Sequence, residues 1–323
     1  MRQTKLLTPP TRRLLAILGG IALVAAPIAA AVILRPSGAP ASTESPPVIP
    51  ISPAASFPAP PSGAVVFSRQ AGSAALALGI VPRRGSILVQ ASVVGPQGRG
   101  SPGLTVDFIV QRTSTRAIAC GPGCYRAAIA MNGRPAAVEV AVRRGSRTIH
   151  WRVPLPATWP PSDASALVVR AEGVWRSLHS VSFKEQLASD SRQPLESTWR
   201  IEAPNRVAYQ VKAGWAGVVI GARRWDRSPG AARWVASAQT PLSQPVPAWA
   251  GAVEAHVLGT GTIKGRPVWR ISFFDPGIPG WFEIALERST LRTLETHMIA
   301  ASHFMLDVYS AFNASPAITP PVP

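Results

Sequence analysis

Acidic residues are scarce in this sequence: 16 Asp and Glu stand against 33 Lys and Arg in 323 residues. Lysine is rarer still, confined to Lys5, Lys184, Lys212 and Lys264, so the positive charge is almost all arginine. Cysteine occurs only at Cys120 and Cys124, and histidine only at His150, His179, His256, His297 and His303. Two cysteines do not make a metal site without His or Met partners, and none is close to them in sequence,. Neither the G-x-S-x-G nucleophile turn nor the H-E-x-x-H zinc motif is present,. The glycine pairs Gly217/Gly221 and Gly259/Gly261 lack the following helix that a phosphate cradle needs, and read as turns,. Asp226 and Asp275 read as turn or arginine partners,. The sequence therefore predicts no catalytic residues, no metal site, no cofactor and no enzyme. No basic–aromatic motif for nucleic acid is present either.

What the chain does have is an apolar run, Leu14 to Leu34, without a single charge. As a helix it would be roughly 32 Å long, close to the ~30 Å hydrocarbon core of a bilayer. Arg2, Lys5, Arg12 and Arg13 precede it, and no acid occurs before Glu44. Positive-inside topology then keeps the N-terminus cytoplasmic and exports the rest, a single-pass cell-membrane protein whose bulk is extracytoplasmic. A cleavable signal peptide, with Ala29-Ala30-Ala31 as its A-x-A site, is the competing reading,. The length of the run favours a retained anchor.

Residues 62–156 carry twelve arginines against Asp107 and Glu139, whereas the later part is nearly balanced. Such an excess could meet anionic headgroups at up to ~1 kcal/mol per well-placed cation. The preference for Arg over Lys throughout points instead to general compositional bias.

Over the whole chain, 46% hydrophobic and 15% charged residues exclude wholesale disorder,. We divide the chain into residues 1–35 (N-terminus and membrane anchor), 36–62 (a Pro/Ala/Ser linker), 63–160, 163–318, and a tail at 319–323. From Gly63 to Pro156, short alternating runs recur between Gly, Pro and Arg-Gly turn signals: Val65–Ser68, Ala75–Val81, Ile87–Val94, Leu104–Gln111, Tyr125–Ala130, Ala136–Val142 and Thr148–Val153. Their number and spacing predict an immunoglobulin-like β-sandwich. Past Trp159-Pro160-Pro161-Ser162, Val181, Phe183, Glu185 and Leu187 share one face of a strand,. Thr198–Glu202, Val207–Val211, Trp215–Gly221, Val268–Phe274, Trp281–Leu286 and Leu291–Ala300 read as further strands. Gln239–Trp249, with Pro241, Pro245 and Pro247, reads as a surface crossing, and Ala250–Leu258 as a short helix. Nine of the ten tryptophans lie from Trp159 onward, which implies a large apolar interior or a lined cavity,.

Cys120-Gly121-Pro122-Gly123-Cys124 is the sharpest local motif. In an oxidising compartment two thiols this close should pair, and the flanking glycines permit the tight loop. A thiolate pair for Cu(I) or Zn(II) and a redox-active dithiol are the rivals. His297, Met298, His303 and Met305 form the one His/Met group, and in a single strand positions 297, 303 and 305 would share a side, as a copper site would need,. The competing reading is surface histidines beside core methionines.

Two resemblances follow. Phe183-Lys184-Glu185-Gln186-Leu187, Thr198-Trp199-Arg200-Ile201-Glu202-Ala203-Pro204, Ile220-Gly221-Ala222-Arg223-Arg224-Trp225 and Tyr309-Ser310-Ala311-Phe312-Asn313-Ala314-Ser315-Pro316 resemble, in that order, the LolA/LppX-like superfamily of lipoprotein and lipid carriers. This implies a curved, unclosed β-sheet wrapped on helices around an apolar cavity. Cys120 to Cys124 followed by Tyr125-Arg126-Ala127 resembles the YtkA-like and CopC-like sandwiches found in the soluble tails of CopD-type copper-resistance proteins. The chain departs from that pattern in having one membrane segment and no histidine-rich N-terminal ligands.

The expected fold is mainly β with a few helices: a transmembrane helix, a β-sandwich, then a half-barrel. The expected function is a membrane-anchored binding protein holding an acyl or lipid-like ligand, with Trp199, Trp225, Trp269, Phe273 and Trp281 lining the site or filling the core. A copper-handling accessory role, or service as a structural or signalling partner of another envelope protein, are the alternatives.

Overall fold

The computed structural model describes residues 58–189, 194–243, 245–300 and 303–322. The Leu14–Leu34 run and most of the linker lie outside them. Among the described residues no helix is long and apolar enough to cross a membrane.

The first unit is a two-sheet sandwich with every strand pair antiparallel. One sheet has the order β1(Val65–Ala71), β2(Ala74–Arg83), β3(Ser86–Val94), β7(Cys124–Ala130), β6(Ile118–Gly121). The other runs β5(Thr113–Arg116), β4(Thr105–Val110), β8(Ala137–Arg144), β9(Arg147–Pro154). Period-2 alternation builds the core: Val106, Phe108 and Val110 of β4 meet Val138, Val140 and Val142 of β8 and Leu76, Leu78 and Ile80 of β2, all buried,. Cys120 and Cys124 form the expected disulfide, with Cα atoms 5.0 Å apart.

The helix α1(Ser165–Arg176) follows. It was not legible as a helix from propensity, because Val168, Val169, Val174 and Gly173 disfavour one,. Its periodic signal is Val168, Ala171 and Trp175, which are its buried residues,. Asp163 accepts a hydrogen bond from the Ser165 amide (2.6 Å), which satisfies an exposed donor at the helix start,.

Beyond the helix, the strands among the described residues form one open antiparallel sheet of eleven. Its order is β15(Val235–Ala238), β14(Arg223–Arg227), β13(Ala216–Ile220), β12(Arg206–Val211), β11(Leu195–Glu202), β10(Ser180–Ala188), β20(His303–Ser310), β19(Thr293–Ala300), β18(Gly280–Glu287), β17(Arg266–Asp275), β16(Val253–Ile263). Two expectations are corrected here. Ala250–Leu258 is not a helix, since Val253 onward is the edge strand β16, paired to β17 through β-bulges,. Gln239–Trp249 is a crossing, with Thr240, Pro241 and Ser243 exposed, but it is not confined to the surface, since Leu242, Pro245, Pro247 and Trp249 are buried. It joins β15 and β16, the two opposite edges, by passing over the helix-facing side of the sheet. There Leu242 packs on Val207 and Val219, and Trp249 is fully buried against α1 residues and Phe273. The Trp175 indole donates to the Pro245 carbonyl at 3.1 Å, tying helix to crossing. Among the described residues, one helix and one crossing segment thus stand where several helices were expected.

The sandwich packs on the side of this sheet away from the helix. Val66, Ala75 and Ala77 meet Phe274, Trp281, Phe304 and Ala188 in one apolar cluster. Glu254 reinforces the contact by accepting from the Gly63 amide (2.7 Å) and the Ser62 hydroxyl (2.5 Å).

Candidate functional site

Strand alternation in β10 to β14 sorts side chains onto two faces. The helix-facing side receives Val181, Phe183, Glu185 and Leu187 from β10, Trp199 from β11 and Tyr209 from β12, with register Phe183↔Trp199↔Tyr209. Phe183 and Trp199 stack at 5.9 Å with an interplanar angle of 2°, and Trp199 meets Tyr209 at 4.8 Å. The series continues from Phe183 to Tyr309 (5.2 Å), then Trp175 (5.4 Å) and Trp249 (6.5 Å). Tyr309, Trp175 and Trp249 are buried beneath α1 and the crossing segment, whereas Phe183, Trp199 and Tyr209 are only half-buried. Gly217 lies under the Tyr209 ring, where a Cβ would overlap ring carbons, so glycine is required for this seating.

Polar groups fix the aromatic rings. The Trp199 indole donates to Glu185 (2.9 Å) and to the Ser197 hydroxyl (2.7 Å), and Ser197 itself donates to Glu185 (2.7 Å). Arg224 donates to the Tyr209 hydroxyl (3.1 Å) and forms an ion pair with Asp226 at 2.7 Å. Glu185 is directly opposite Asp307 of β20. Asp307 is 2% exposed, accepts from the Tyr309 hydroxyl (3.0 Å) through one oxygen, and has no hydrogen-bond partner on the other. Burial, and next the neighbouring Glu185 charge, push the Asp307 carboxyl well above the usual carboxylate range,. Burial also raises Glu185, against the opposing pull of the Ser197 and Trp199 hydrogen bonds.

The five aromatic residues singled out in the sequence do not converge. Trp199, Trp269 and Phe273 project to the helix-facing side, Trp199 in the half-buried series and Phe273 fully buried against Phe282 at 5.3 Å. Trp269 is half-buried beneath Arg288, whose guanidinium sits 4.6 Å from its ring. Trp225 lies on the opposite side with Ala208, Val218 and Ile318. Trp281 is 1% exposed in the contact with the sandwich. The space between α1, Pro245 and the sheet at Val181 and Ile201 is about 10 Å³, too small for an acyl chain,. Sequence reasoning missed Phe183, Tyr209, Glu185 and Asp307 as members of the series. The signal for the first three was the alternation of apolar and polar residues along β10 to β12.

The His/Met group is also divided. β19 ends at Ala300 and β20 begins at His303, so these residues belong to two paired strands with register His297↔Leu306 and Met298↔Met305. Met298 and Met305 face α1 in the core, while His297 projects to the other side and meets Glu295 at 2.8 Å. Among the described residues no three His, Cys, Asp or Glu side chains are placed to hold a metal ion.

No protein-family model and no curated protein matches this chain. Among solved structures, LprF from Mycobacterium bovis aligns with a TM-score of 0.40 and 12% identity, over 50% of this chain and 97% of its own. The Mycobacterium tuberculosis lipoprotein LppX aligns at 0.38 and 13%, over 48% and 98%. A DUF1329 family protein from Desulfovibrio piger aligns at 0.28 and 9%, over 48% and 92%. None of the three supports a YtkA-like or CopC-like first domain. Each of the three is thus similar to about half of this chain.

Proposed function

We propose that this chain is a membrane-tethered, extracytoplasmic binding protein, without catalytic activity, that lays an acyl or lipid-like ligand along the Phe183–Trp199–Tyr209 series. The observation that carries this reading is the half-burial of three ordered aromatic rings on the side of the sheet where the rest of the aromatic series is covered. Their orientation is set in advance by Glu185, Ser197 and Arg224, so a ligand would not have to order them,. About ten methylenes laid on such a surface contribute ~0.8 kcal/mol each. Association and ordering consume several kcal/mol of that, leaving micromolar to millimolar affinity for one chain. A deeper seat requires the 239–252 crossing to move off Val207 and Val219.

The test is native mass spectrometry of the full chain for co-purified lipid, with fluorescence titration by a fatty-acid analogue. Trp199→Ala should weaken binding while leaving the fold cooperative. A folded protein that gives no signal with any chain length would remove the proposal.

A further inference from the structure

The opposite face of the same strands holds a second feature, a groove of about 630 Å³, within the ~300–1,000 Å³ of small-molecule sites,. Its floor is one continuous cross-strand row, Lys184↔Thr198↔Gln210↔Ala216↔Arg227. At the usual strand spacing these five strands place Lys184 and Arg227 roughly 19 Å apart along the sheet. Arg200 stands diagonal to Lys184 on the neighbouring strand, and Trp234 walls the Arg227 end, with the Arg227 guanidinium 4.9 Å from its ring.

Hydrogen-bonding capacity is left over here. Among the described residues, the side chains of Lys184, Thr198 and Gln210 have no hydrogen-bond or ion-pair partner, that of Arg227 has only the Trp234 ring, and that of Arg200 has one long contact, 3.5 Å, to the Pro316 carbonyl. The one carboxylate on this face of the groove, Glu196, is already paired to Lys212 at 3.0 Å. An uncompensated positive groove of this kind attracts anions. Its length excludes a single small oxyanion reaching both ends. The hydroxyl and amide between the cations suit a ligand that carries hydroxyl groups between its charges, and arginine forks match carboxylates. We propose that this groove binds a short stretch of acidic oligosaccharide, with carboxylates at Lys184/Arg200 and at Arg227 and sugar hydroxyls on Thr198 and Gln210.

The experiment is calorimetric titration of the full chain, in a zwitterionic detergent, with trigalacturonate, maltotriose and tripolyphosphate. The expected result is binding of trigalacturonate that weakens with added salt and falls about tenfold or more in Lys184→Gln and in Arg227→Gln, with no binding of maltotriose. Trp199→Ala should leave this binding intact, since its ring lies on the other face, which separates failure of this proposal from failure of the acyl-binding one. Circular dichroism controls for folding of each variant. Absence of trigalacturonate binding, wild-type affinity retained in either charge variant, or binding of tripolyphosphate alone would each overturn it.

Discussion

Glu185 and Asp307 stand directly opposite each other on β10 and β20, two carboxyl groups side by side on the covered face of the sheet. The arrangement sets a pH dependence. The folded protein holds the Asp307 proton more tightly than the unfolded chain, where the group titrates near 3.8. A raised carboxyl of this kind gives its full stability below the unfolded value, and that stability is lost as pH rises towards the folded one. Stability should therefore decline upward from about pH 4 through this group, with Glu185 contributing in the same direction,. Asp307→Asn should flatten that decline and stabilise the protein at neutral pH by about 1–3 kcal/mol. Urea midpoints measured across the range check this. Wild-type stability that climbs with pH, unaltered in the variant, would contradict it.

Trp281 lies in the contact between the two units. Trp281→Ala should cost about 3–5 kcal/mol, the usual loss for a buried aromatic,. Because Val66, Phe274 and Phe304 share its cluster, the same change should loosen the coupling between the sandwich and the eleven-stranded sheet. Calorimetry should then resolve two transitions where the wild type shows one. Ligand binding should persist under conditions where the variant is folded.

The disulfide loop rests on a close backbone approach. Gly123 has φ +70°, and a Cβ there would overlap the Val93 carbonyl and Gly100. Gly123→Ala should therefore destabilise by at least ~2 kcal/mol, from the combined backbone and steric cost. Replacing both cysteines by serine should cost less or about as much, ~2 kcal/mol, because the closed loop is short,. Thermal melts of the two variants compare them directly.

Seating of the aromatic series depends on Gly217. Gly217→Ala should displace Tyr209 from its place over β13 and break its hydrogen bond to Arg224. We expect a loss of about 1–3 kcal/mol in stability. Titration with the fatty-acid analogue should show weaker binding, because the rim of the aromatic series is lost.

The sequence by itself determined the β-rich class, the Cys120–Cys124 bridge and the two-faced character of β10 to β12. Each follows from local rules: side chains alternate along any strand, and two thiols four residues apart need only a permissive loop. Alternation alone therefore separates Phe183 from Lys184, Trp199 from Thr198 and Tyr209 from Gln210 within each strand, while pairing register brings the three rings to one face,. Only the tertiary structure decided which aromatic residues remain open. Trp281 and Trp199 sit in similar alternating strands, yet one is covered by a second unit and the other is left half-buried. Strand order likewise brought Glu185 beside Asp307, sent His297 away from Met305, and made Val253–Leu258 part of an edge strand. These outcomes depend on pairings between distant segments and on burial from both sides of the sheet, and local periodicity encodes neither.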